Sequence, residues 1–146
     1  MKCPNLGNAL LIKSLLLPAL LPAALLLPAL SHADSTDEPD VARYALFCIN
    51  NATEYPIDYS VKWGDRDWQG YTVAAHSSLW HAWKYAIPGY LDSPTPYVTF
   101  DADQTDAESC VTSPLVPLAA SNQRCALGAS YRFEWMADSS RYIDLR

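Results

Sequence analysis

Glycine is scarce in this chain, at 5 of 146 residues. No serine is flanked by the glycines of a G-x-S-x-G elbow, and no H-E-x-x-H occurs, so neither the hydrolase nor the zinc-protease grammar is present. Basic residues are also few. Ten Lys and Arg stand against 16 Asp and Glu, a formal charge of -6 and a pI of about 4.8. Such a chain lacks the basic surface that neutralises phosphates, which excludes a nucleic-acid partner, and an anionic membrane repels it as a whole. The four cysteines include no C-x-x-C pair, so a structural zinc site finds no support. Only 18% of residues are charged while 12% are aromatic, a composition that folds rather than one that stays disordered.

What is present begins with a leader. Lys2 and Lys13 precede an apolar run from Ser14 to Leu30, and Ser31-His32-Ala33 closes it. That is the order of a secretory signal peptide, with cleavage expected after Ala33. The run has 17 residues and is interrupted by Pro18, Pro22 and Pro28. It is short for a bilayer span and carries helix breakers, so an uncleaved anchor is the second choice. No membrane span is expected after processing. Removal of residues 1–33 leaves eight cations against the 16 acids, and residues 34–40, DSTDEPD, read as an acidic, mobile tail. The body is then a single domain over residues 41–146, secreted or periplasmic.

Three cysteines lie in that body, and an oxidising compartment pairs two of them. Cys48 sits in the apolar run 44–49 and Cys125 lies just before the run 131–135, so a Cys48–Cys125 bond is expected to tie an early strand to a late one. Cys110 is then left over, or pairs outside the chain. A Cys110–Cys125 bond closing a short loop is the alternative. Cys3 lies in the leader.

The dominant hydrophobic period of the body is two. Tyr55, Ile57, Tyr59, Val61 and Trp63 alternate with polar or small residues, as do Tyr131, Phe133 and Trp135 with Arg132 and Glu134. This is the pattern of strands with one buried face. Shorter strands are predicted at 43–50, 68–74, 78–85, 96–101 and 141–145, and the segment 111–120 with Pro114 and Pro117 reads as an edge strand. Turn chemistry at 64–67, 75–77 and 88–94 separates them. No run of ten residues carries a helical period. The expected fold is all-β, a small antiparallel β-sandwich, with a small β-barrel as the alternative.

Candidate sites follow from strand phase. Trp63 shares a face with Ile57 and Val61, and Trp83 with Leu79, so both rings belong to the core. Trp80 falls on the opposite face with Ser78 and Lys84, and Trp68 is in phase with Gly70 and Thr72. Both are expected outside. With Asp65 and Asp67 in the intervening turn, Trp68 and Trp80 form a candidate ligand platform of rings and carboxylates, the combination on which sugars stack and hydrogen-bond. His76 and His81 lack any catalytic or metal partner pattern, and the plain reading of His81 is a strand histidine facing solvent or a tyrosine hydroxyl. The acidic segment 101–108 has D-x-D spacing suited to calcium but not the register of an EF-hand, and a solvated loop is the simpler reading. Asn51-Ala52-Thr53 matches an N-glycosylation acceptor at a strand end where exposure is expected. The sequence therefore points to a non-catalytic exported binding module without cofactor or metal, its partner a glycan or an extracellular or envelope protein. A structural envelope component and a carbohydrate-active hydrolase with paired carboxylates are the other readings.

Overall fold

The computed structural model describes Cys3 and residues 41–105, 108–137 and 139–146. The predicted cleavage site and acidic tail lie outside the described residues. Among those described, nine strands run in chain order: β1 (Tyr44–Asn51), β2 (Ile57–Trp63), β3 (Gln69–Val73), β4 (Ser78–Lys84), β5 (Pro96–Asp101), β6 (Cys110–Pro114), β7 (Leu118–Ala120), β8 (Ala129–Trp135) and β9 (Ile143–Leu145), with a 3-10 turn at Cys125–Leu127. They form two sheets. One has the order β4-β1-β8-β9 with β7 also paired to β1; the other has the order β3-β2-β5-β6. The sheets pack as a sandwich and do not close into a barrel.

Pairing is antiparallel except between β1 and β8, which run parallel with Phe47 opposite Ala129 and Asn51 opposite Phe133. Strand β1 is the organising element. Its partner on one side is β4 over nearly the whole length, and on the other side β7 takes the first residues and β8 the last. The apolar run 44–49 explains this position. Ala45, Phe47 and Ile49 point between the sheets, while Leu46 and Cys48 point outward, and all five are buried. A strand covered on both faces needs apolar residues at both phases.

The outer cover of β1 is the β7–β8 connection. The Cys48–Cys125 disulfide pins the 3-10 turn onto it, and Gly128 passes so close that a Cβ there would lie 2.9 Å from Leu46 Cγ. Gly128 is therefore required by contact and not by its backbone angle. Gly64, at φ +56, opens the β2–β3 hairpin turn and leaves no room for a Cβ beside Pro94.

Between the sheets Phe47, Ile49, Ile57, Tyr59, Val61, Val98, Phe100, Phe133 and Ile143 form one core, with Trp63, Tyr71, Leu79 and Trp135 packed at its margin. The rings meet edge-on, Phe100 and Phe133 at 5.0 Å and Tyr59 and Phe133 at 5.6 Å. Tilted ring pairs of this kind add to the area they bury. The two alternating patterns seen in the sequence supply Ile57, Tyr59, Val61 and Phe133 to this core, and the other members come from β1, β5 and β9 and their neighbours. Tyr55 departs from its pattern: it precedes β2, is exposed, and stands edge-on to Trp135. The segment 111–120 is likewise two strands rather than one. Strand β6 is an edge strand of the second sheet and β7 crosses to the first, with Pro114 and Pro117 marking the break.

Cys110 is not left over. It is bonded to Cys3, 107 residues away. Assigning Cys3 to a discarded leader removes this partner from view, which is why the pairing of Cys110 differs from the expectation. Two disulfides mark an oxidising, extracytoplasmic environment. Among the described residues no helix is long and apolar enough to cross a membrane.

Candidate functional site

Strand phase holds for the four tryptophans used to build the expected platform. Trp63 and Trp83 turn inward and meet at 6.0 Å, with Phe47 at 5.6 Å from Trp63. Trp80 turns outward and is 47% exposed. Trp68 also lies on an outer face, where the Lys62 ammonium sits 5.1 Å from its ring and 5.2 Å from that of Tyr97. Sheet assignment, which phase does not reveal, separates the two outward rings. Trp80 belongs to β4 in the five-stranded sheet, and Trp68 leads into β3 in the four-stranded one. They occupy opposite outer faces of the sandwich. Asp65 and Asp67 stay with Trp68, exposed in the β2–β3 turn, so the structure does not bring all four residues together.

The surroundings of Trp80 hold polar groups that strand phase alone does not single out. Trp80 and Ser78 lie two residues apart on one face of β4. Cys48 is opposite Trp80, and Asn50 is opposite Ser78. The Ser78 hydroxyl donates to Asn50 Oδ1 at 2.5 Å, and Asn50 Nδ2 donates to Ser130 Oγ at 2.8 Å and to the Tyr131 carbonyl at 3.1 Å. This row of side chains crosses β4, β1 and β8. Beside it opens a shallow cleft of about 310 Å³ lined by Asn50, Asn51, His76, Ser77, Ser78 and Arg132. An exposed indole next to a row of hydroxyl and amide groups and an arginine can stack one face of a sugar ring and exchange hydrogen bonds with its hydroxyls. The signal available in the sequence is the shared outward phase of Ser78 and Trp80. What the sequence does not supply is that β1 and β8 place Asn50, Ser130 and Arg132 alongside.

Asn51 serves the fold. It is 2% exposed, and its Nδ2 donates to the carbonyls of Tyr55, Val73 and Ala74, while its Oδ1 accepts from the Thr53 amide and hydroxyl. The glycosylation pattern at Asn51 therefore lies buried in the folded chain, against the exposure expected at a strand end. Both polar residues of the pattern are consumed in closing the turn between β1 and β2.

His81 faces inward on β4. Its Nε2 is 2.7 Å from the Tyr59 hydroxyl, and Phe47 and Tyr71 press on the ring at 5.1 and 4.6 Å. Burial lowers its pKa from 6.5 to about 4 and pushes Tyr59 above its ordinary value. The neutral imidazole is thus a core hydrogen-bonding partner, sealed away from the cleft.

The acidic segment 101–108 also turns to structural use. Asp101 Oδ1 accepts from the amides of Asp103 and Ser109 at 3.1 and 2.8 Å. Asp103, almost wholly buried, receives Arg141 in a two-pronged pair, Nε to Oδ1 at 3.0 Å and Nη2 to Oδ2 at 2.6 Å, and also the Thr105 amide and hydroxyl. These hydrogen bonds from Arg141 hold the Asp103 carboxyl well below the usual carboxylate range. Asp103 staples the loop to the β8–β9 connection through Arg141; Asp106 lies outside the described residues. Among those described, no group of three or more His, Cys, Asp or Glu is placed to hold a metal ion.

No protein-family model, curated protein or solved structure matches the chain.

Proposed function

We propose that this protein is a non-catalytic binding module of the secreted or periplasmic space, processed after Ala33, which takes a glycan on the outer face of its five-stranded sheet. The observation that carries this reading is the exposed Trp80 indole beside the hydrogen-bonded row Ser78, Asn50 and Ser130. The ring supplies the stacking surface and the row supplies donors and acceptors. Arg132, in the adjoining cleft, favours sugars bearing a carboxylate or sulfate. Trp68 forms no part of this site, because it lies on the opposite face, nor do Asp65 and Asp67, which stand in the β2–β3 turn.

A glycan array probed with the exported protein and with its W80A variant tests the reading. Retention of a defined group of glycans by the parent protein, with a loss of at least tenfold in W80A, is the expected result. An array on which nothing binds, or on which W80A binds as well as the parent, removes it.

A further inference from the structure

Strand β4 is an edge of the five-stranded sheet, with β1 on one side and no strand on the other. Which of its backbone groups face that edge follows from the register. The Asn51 amide donates to the Ser77 carbonyl at 2.8 Å and the Tyr85 amide donates to the Arg43 carbonyl at 2.9 Å, so along the antiparallel ladder between them the odd-numbered residues of β4 bond to β1. The amides and carbonyls of Ser78, Trp80, Ala82 and Lys84 therefore point the other way. Among the described residues no segment pairs with them there. Such a row of backbone donors and acceptors is a template for a further strand.

The other sheet edges are guarded. Strand β6 ends in Pro114 and carries the Cys110 disulfide, β9 has three residues with Asp144 at its centre, and β3 has five residues with Gly70 among them. Proline, shortness and charge are devices that keep an edge from pairing. Strand β4 has seven residues, no proline or glycine, and a single charge, Lys84, at its end. It is the long, open edge of the sandwich.

We propose that β4 pairs with β4 of a second copy of this chain, antiparallel about a two-fold axis at His81, so that the two five-stranded sheets become one. In this register the strand is complementary to itself. The even-numbered residues, whose backbone groups face the edge, meet one another: Ser78 lies opposite Lys84 of the second copy and Trp80 opposite its Ala82, and both pairs recur by symmetry. The half-exposed indole thus has a small neighbour across the seam, and the two lysines stand at opposite ends of it. On the inner face Leu79 meets Trp83 of the second copy, an aliphatic-aromatic pair. No acid lies in β4, so the net negative charge of the chain is not concentrated at the seam. An extended peptide of any sequence satisfies the same backbone groups, but the fit of each side chain to its symmetry mate singles out a second copy. The outer face stays open, and the two Trp80 residues stand on it as diagonal neighbours, about 7–8 Å apart.

Sedimentation velocity of the exported protein over a concentration series tests this, together with hydrogen exchange read at the β4 amides. The expected result is an equilibrium of monomer and dimer, with the amides of Trp80, Ala82 and Lys84 becoming protected as the dimer fills. Ala82→Pro removes an amide that faces only the seam, at a position where an edge strand admits the ring. It should weaken the dimer by about tenfold or more and leave the melting temperature of dilute protein nearly unchanged. Two charge variants probe the register without altering the backbone: S78K sets lysine against lysine and should weaken the dimer by about fivefold, and S78K/K84S should restore it. A protein that stays monomeric throughout, a dimer whose β4 amides exchange as fast as those of the monomer, a folded Ala82→Pro variant that dimerises as well as the parent, or S78K/K84S as weak as S78K overturns the proposal. No glycan enters these measurements, so their failure is distinct from that of the glycan reading.

Discussion

His81 and Asn51 show how polar residues are accommodated in this core, and each yields a stability prediction. Below pH 6.5 the unfolded chain takes up a proton on His81, whereas the folded chain resists it until about 4. Unfolded protein therefore binds more protons across that window, and stability falls as pH drops through it. The gap corresponds to about 3 kcal/mol. Thermal melts of the parent protein between pH 7 and 4 should show this decline, and H81Q should flatten it while starting from a lower melting temperature. Asp103, held ionised by Arg141, extends the acid sensitivity below the ordinary carboxylate range. Asn51 shares its two amide hydrogens among three backbone carbonyls and accepts from the Thr53 amide and hydroxyl; three of these bonds, to Val73 and from Thr53, are buried, so N51A should cost about 3 kcal/mol at about 1 kcal/mol for each buried hydrogen bond, read by urea denaturation. The tryptophans divide in the same assay. Trp63→Ala opens a cavity against Phe47 and Trp83 and should cost about 3–5 kcal/mol, whereas Trp80→Ala should change stability by less than about 1 kcal/mol, since its ring packs only in part.

At the scale of elements, the strands were legible because their period is local. Ile57 to Trp63 and Tyr131 to Trp135 announce a buried face residue by residue, and β5 lies where its apolar run and flanking prolines place it. Pairing across the sandwich is not local. The parallel contact of β1 with β8 joins residues more than 80 positions apart, and the assignment of β3 and β4 to different sheets turns the 75–77 link into a crossover, with His76 at φ 51. For this reason the phase of Trp68 and Trp80 was readable and their separation was not. The cover over β1 gives a sharper test of the packing. Gly128→Ala should cost about 1–3 kcal/mol by driving a methyl into Leu46. In an L46A background the same change should cost less, because the methyl then enters space already vacated. Equal costs in both backgrounds would place the crowding elsewhere.

The whole molecule is held by two long-range disulfides. Closing the chain between Cys48 and Cys125, 77 residues apart, restricts the unfolded state by about 4 kcal/mol on the loop-entropy account, so C48S/C125S should lower the melting temperature markedly. The Cys3–Cys110 bond meets the expected cleavage after Ala33 in one observable. A chain cut there holds Cys3 only through this bond, so peptide mapping without reduction should recover a Cys3–Cys110 peptide from the precursor and none from the exported protein; its recovery from exported protein would contradict loss of residues 1–33. Titration of isotopically labelled protein with the best-bound glycan, followed at the Trp indole N–H resonances, tests the central assignment most directly. The account predicts that the Trp80 indole shifts with saturation while those of Trp63 and Trp83 hold still. A titration that moves the Trp68 indole and leaves Trp80 in place contradicts it.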